Sequence, residues 1–151
     1  VTEANYWPVV RDHLSPFGVL KRVENSVGGG DGDVLYCLTR PKPGATAATG
    51  FLELKYLPEY PTKRMTPIRP RHLTKDQVLF AEEWSGAGGR AWLLLRAPPW
   101  TLLFDPAGIR GLYEAKVAAM DGPAIAKVAA MGAKFPTGPM LKALTQDIKV
   151  P

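Results

Sequence analysis

Two short stretches hold residue types that can do chemistry together: Gly30-Asp31-Gly32-Asp33-Val34 and Gly50-Phe51-Leu52-Glu53-Leu54-Lys55. Along a β-strand, residues two apart share a face. Glu53 and Lys55 therefore point one way, while Leu52 and Leu54 point into a core. Asp33 opens the preceding apolar run and sets a second carboxylate beside Glu53 if the two strands pair. Two carboxylates on a rigid sheet edge form a hard oxygen site suited to Mg²⁺ or Mn²⁺. Such a cation polarises a phosphate and acidifies a bound water, and a lysine alongside can orient that water or stabilise developing charge. A Glu-x-Lys pair by itself is common on solvated sheet faces. Its weight here comes from the ordered company it keeps.

That company is a succession of elements. A helix is expected from Pro8 to Leu14, with Pro8 in its first turn and Ser15-Pro16 with Gly18 as stop signals. Proline disfavours helical geometry in the residue before it, which argues against Thr2 to Trp7 continuing that helix upstream and leaves the question open. Strands follow at Val19–Glu24, Val34–Leu38 and Phe51–Leu57, with a glycine-rich turn over 25–32 and a Pro/Gly/Ala/Thr-rich connection over 41–50. Thr74 caps a helix running to about Trp84, and Gly86, Gly88 and Gly89 end it. Arg90–Arg96 and Trp100–Phe104 form a hairpin across Ala97-Pro98-Pro99. From Asp105 the chain is Ala-rich and reads as helical, broken at Gly122-Pro123, Gly132 and Pro136 to Pro139.

The 151 residues suit one domain with a single core. No apolar run approaches the roughly 20 residues of a membrane span, and no secretory leader is visible, so a soluble, cytoplasmic protein is expected. Cys37 has no partner for a disulfide or a zinc site. The net charge of +5 and pI near 9.4 favour an anionic partner. Lys63, Arg64, Arg69, Arg71, His72 and Lys75 fall in one stretch interrupted by Pro61, Pro67 and Pro70. So many prolines exclude a helix face, leaving an extended loop that either displays cations to DNA or is a solvated linker. Trp84, Trp92 and Trp100 lie within regular elements and are expected in the core. His13 is expected at the surface or partly buried.

The order of these pieces resembles the PD-(D/E)xK nuclease superfamily and, within it, the VRR-NUC type of small phage and repair-linked nucleases, which includes Holliday-junction-resolvase-like members. The resemblance spans roughly residues 2–104. It rests on Arg22-Val23-Glu24-Asn25, Gly-Asp-Gly-Asp-Val at 30–34, Phe-Leu-Glu-Leu-Lys at 51–55, Leu73-Thr74-Lys75-Asp76-Gln77, and Gly88-Gly89-Arg90-Ala91-Trp92. It implies an α/β fold with a restriction-endonuclease-like core over 1–104, a mixed central sheet flanked by helices, and a helical C-terminal extension over 105–151. It further implies Asp33 and Glu53 as ligands of Mg²⁺ or Mn²⁺, the Leu54 carbonyl as a backbone ligand, Lys55 as the catalytic lysine and Gln77 beside the site. A helix glutamate often joins such sites; Glu3 is the positional match and Glu24 the alternative. Two features depart from the pattern. Gly32 replaces the usual proline, with Asp31 as a rival to Asp33, and the Asp33-to-Glu53 connection is long, as an inserted loop would make it.

The expected activity is metal-dependent hydrolysis of DNA, selective for branched structures, with Lys63, Arg64, Arg69, Arg71 and Lys75 along the phosphate backbone. A sequence-reading restriction-type endonuclease and a non-catalytic DNA-binding module are the alternatives. Cutting opposing strands of a four-way junction calls for two-fold related subunits. The apolar residues between Tyr113 and Leu144 either supply that homodimer contact or cover one face of the sheet.

Overall fold

Alternating apolar residues need a surface to bury against, and here both faces of one sheet provide it. The computed structural model describes residues 3–23 and 33–146. The elements in order are α1 (Glu3–Leu14), a 3-10 turn (Ser15–Phe17), β1 (Gly18–Val23), β2 (Asp33–Leu38), β3 (Ala48–Tyr56), α2 (Lys75–Gly86), β4 (Arg90–Ala97), β5 (Trp100–Phe104), α3 (Pro106–Tyr113), α4 (Gly122–Ile125), β6 (Val128–Met131) and α5 (Thr137–Leu144). The six strands lie side by side in sequence order. Every neighbouring pair is antiparallel except β3 and β4, which are parallel and joined by the crossover containing α2. The protein is thus α/β, with a mixed six-stranded sheet flanked by helices.

One face of the sheet packs Val34, Tyr36, Leu52, Leu54, Leu94 and Leu103 against α1 and α5. The other packs Leu93, Leu95, Leu102 and Phe104 against Val78 and Ala81 of α2 and Ile109 and Leu112 of α3. Leu93, Leu94 and Leu95 are consecutive and fully buried, the mark of a strand covered on both sides. Tyr36 locks the first face polar-end inward: its hydroxyl donates to the Leu144 carbonyl at 2.8 Å and accepts from the Trp92 indole N–H at 3.1 Å.

Three sequence expectations are corrected. Helix α1 begins at Glu3 and carries Pro8 in its interior; the packing of Tyr6 and Val10 in the core outweighs the local preference for a break before the proline. The C-terminal stretch is not wholly helical, because Val128–Met131 pairs with β5 as the sixth strand. Its alanines have weak strand preference and follow the edge offered by β5. Finally, β3 lies inside the sheet rather than at its edge, and it starts at Ala48, shortening the connection from β2 to residues 39–47. Val117, Val128 and Leu141 are buried within this chain, whereas Met120, Ile125 and Met131 stay exposed. Among the described residues no helix is long and apolar enough to cross a membrane.

Candidate active site

Glu53 and Lys55 occupy alternate positions of β3 on the face toward α2, opposite to Leu52 and Leu54, as strand alternation requires. Lys55 is 0% exposed and Glu53 only 9%. An ammonium held out of water needs charged or polar partners. Lys55 Nζ lies 3.2 Å from Glu53 Oε1 and donates to the His72 carbonyl at 3.1 Å. His72, with φ of 62°, sits in the left-handed region at the turn that leads into α2. The basic segment is thereby tied at its C-terminal end to the buried lysine.

The start of α2 aims a third group at the same carboxylate. Thr74 and Gln77 form a reciprocal capping box: the Gln77 N–H donates to Thr74 Oγ1 at 3.2 Å, and the Thr74 N–H donates to Gln77 Oε1 at 3.0 Å. With its oxygen held by the cap, the Gln77 amide nitrogen donates to Glu53 Oε1 at 3.0 Å. Helix capping and site geometry are therefore one structure. Both contacts fall on Oε1, so neither occupies Oε2.

The backbone register sets Asp33 directly across from Glu53. Opposed residues of an antiparallel pair lie on one face of the sheet. Leu54 takes a different position. The Leu57 N–H donates to the Arg96 carbonyl of β4 at 2.9 Å, so by alternation Leu54 turns its peptide groups toward β2. It lies one step past the Asp33–Glu53 pair along β3. The free Glu53 Oε2 and a backbone carbonyl are oxygen donors of the kind a hard divalent cation takes. Among the described residues no group of three or more His, Cys, Asp and Glu converges on one point. Asp33's side chain, Glu3's side chain, Asp31 and Glu24 lie outside the described set.

No family model, curated protein or solved structure matches this chain. The likeness to the nuclease superfamily therefore stands on the sequence motifs alone.

The basic segment is an anchored strap. Ile68 is fully buried, its N–H donates to the Val117 carbonyl at 2.9 Å, and the Thr66 and Arg64 carbonyls accept from Ala119 and Met120 at 2.8 and 2.9 Å. Lys63, Arg64, Arg69, Arg71 and Lys75 are all exposed, and none forms an ion pair among the described residues. Arg71 precedes His72 and Lys75 opens α2, so these two flank the site. Lys63 and Arg64 sit instead with Tyr60 and Met120, away from any contact with Glu53.

Trp84 is not in the core: it is 37% exposed, stacked with Phe80 and set edge-on to Phe51. Trp92 and Trp100 are partly buried against the two cores. His13 is exposed, its Nδ1 bonded to the Val9 carbonyl. The aromatic cluster had one legible trace, since Gln77, Phe80 and Trp84 recur at helical spacing on one side of α2.

Proposed function

We propose that this protein is a divalent-metal-dependent nuclease that hydrolyses DNA phosphodiester bonds at the Glu53–Lys55 centre. The observation carrying this reading is the convergence of Glu53, Lys55 and Gln77 at one point on β3, with the Asp33 backbone in register across from it. A solvated Glu-x-Lys pair would leave its lysine in water. Here the ammonium is fully buried, a costly arrangement that its ion pair repays little in stability, which favours a functional role.

In this reading Glu53 and Asp33 hold Mg²⁺ or Mn²⁺ together with the Leu54 carbonyl. The bound cation supplies Lewis acidity toward the phosphate and lowers the pKa of a coordinated water. Lys55, fixed by Glu53 and the His72 carbonyl, places positive charge where the phosphate becomes more negative. Gln77 keeps the Glu53 carboxylate in one rotamer. Arg71 and Lys75 attract the DNA backbone to the mouth of the site, with Lys63, Arg64 and Arg69 extending that track along the strap.

The test is a cleavage assay on linear, nicked, flapped and four-way DNA with Mg²⁺, Mn²⁺, Ca²⁺ or chelator. Cutting that requires Mg²⁺ or Mn²⁺ and stops with chelator is expected. Cutting of the four-way substrate in preference to linear duplex supports the branched-DNA version; equal cutting leaves a general nuclease. DNA binding without cutting under any metal supports the non-catalytic module instead.

A further inference from the structure

Among the described residues, the α2-facing side of the sheet is covered over β4 and β5 and open over β1 and β2. Register puts Val19 beside Cys37, Lys21 beside Leu35 and then Phe51, and Val23 beside Asp33 and then Glu53 on that open side. Val19 is 66% and Val23 44% exposed, and Lys21 and Cys37 are exposed too. Helix α2 walls this floor with Gln77, Phe80 and Trp84 on one flank. The Phe51 ring meets Phe80 and Trp84 edge-on, at centroid distances of 5.1 and 4.8 Å. Phe80 and Trp84 are nearly parallel, 23° apart, with centroids 5.7 Å apart and about two-fifths of each residue in solvent. A side chain at Gly89 would collide with the Trp84 indole, so glycine there lets the ring lie against the turn into β4.

Phe51 stands one strand repeat, about 7 Å, from Glu53 on the same face. The aromatic cluster is therefore continuous with the candidate centre. Lys21 lies in register with Leu35 and Phe51, and Arg71 and Lys75 lie beside His72 and Gln77 at the Glu53–Lys55 end; all three are exposed without ion-pair partners among the described residues. Lys75 even opens α2, where the helix dipole disfavours a cation and favours an anion nearby. A second copy of this chain docked here would bring these cations together across a two-fold axis. A polyanion carrying flat apolar groups matches both the charge and the rings.

We propose that the Phe51/Phe80/Trp84 cluster is a stacking platform for unpaired nucleobases of DNA, which lays a single-stranded segment across the open sheet face with its backbone toward Lys21, Arg71 and Lys75. This deepens the nuclease reading, on which it rests for the neighbouring centre. It assigns the substrate class as DNA with an unpaired stretch next to the bond to be cut. Stacking needs no base-specific hydrogen bonds, so thymine suffices as a probe.

The experiment measures binding of end-labelled oligodeoxythymidine and of a blunt duplex to the whole chain in chelator, where no cutting occurs. Phe80→Ala and Trp84→Ala are expected to lower the ratio of single-strand to duplex affinity by about tenfold or more, and Trp84→Phe, which keeps a ring, by much less. Tryptophan emission of the native protein should be quenched by the oligonucleotide, and Trp84→Phe should remove most of that quenching. This second readout serves if Trp84→Ala does not fold. An unchanged affinity ratio in both alanine variants overturns the platform, as does a native dimer that Phe80→Ala converts to monomer. Ring-dependent oligonucleotide binding in a protein that cuts nothing upholds the platform and contradicts the nuclease. Metal-dependent cutting with ring-independent binding does the reverse.

Discussion

The two halves of the sheet are built differently. Strands β4 and β5 are sealed on both sides, by α1 and α5 on one and α2 and α3 on the other. Among the described residues, strands β1 and β2 are packed on one side only, with Val19 and Val23 left open on the other. Strand β3 is the seam. Its residues Leu52 and Leu54 belong wholly to the sealed side, whereas Phe51, Glu53 and Lys55 run from open ground to full burial along the other. A carboxylate at such a boundary is shielded enough to be held rigidly and near enough to solvent to meet a ligand. The difference teaches that burial depth along one strand can grade side chains from substrate contact to fixed charge.

The largest effect should come from breaking the sealed half. Leu94→Ala is expected to cost about 2–5 kcal/mol in urea unfolding, against less than about 0.5 kcal/mol for Val19→Ala on the open face. Similar costs at the two positions would show that something covers β1 as thoroughly as β4.

Next in size is the seam itself. Lys55→Met removes one member of a buried ion pair and should destabilise by about 3 kcal/mol, while adding Glu53→Leu should recover most or all of that loss. Recovery identifies the pair as one kept for its chemistry. If the double variant is as unstable as the sum of the singles, the two side chains do not act on each other.

A smaller effect sharpens the contrast through pH. Burial on the sealed side pushes the Tyr6 phenol up to about 12 from its ordinary 10, and pushes Tyr36 up as well. Both groups are favoured protonated in the folded chain, so their contribution is full below about pH 10, where the unfolded chain still holds its protons. As pH rises from about 10 to 12 the unfolded chain ionises first, and stability should fall by about 1.4 kcal/mol per pH unit for each such tyrosine. Tyr6→Phe should flatten that decline. An alkaline slope identical to that of the native chain would mean that Tyr6 ionises freely when folded.

Much of this arrangement was legible in the chain itself. The alternation around Glu53 and Lys55 gave their common face, and Thr74 with Gln77 marked a helix start because capping is local. That Asp33 comes beside Glu53 was expected if the two strands pair, and the structure supplies the register. Long-range packing hid the rest. Nothing near Val128–Met131 announces a strand, which exists because β5 offers an edge. Pro8 argued for a helix start that the core contacts of Tyr6 override. The burial of Lys55 depends on His72, and the exposure of Trp84 on Phe51, each contact joining residues from different elements. Position within a regular element assigns an indole to the core; this one instead lies at the α2 surface against Phe51 and Phe80, 37% exposed.

The most direct measurement of the central claim is DNA cleavage by Glu53→Ala, purified beside the native chain through steps that exclude a contaminating nuclease and assayed in Mg²⁺ and Mn²⁺. The native protein should cut, and the variant should lose at least about a hundredfold in rate while keeping its fold by circular dichroism. Undiminished cutting by Glu53→Ala would contradict the assignment of β3 as the seat of the chemistry.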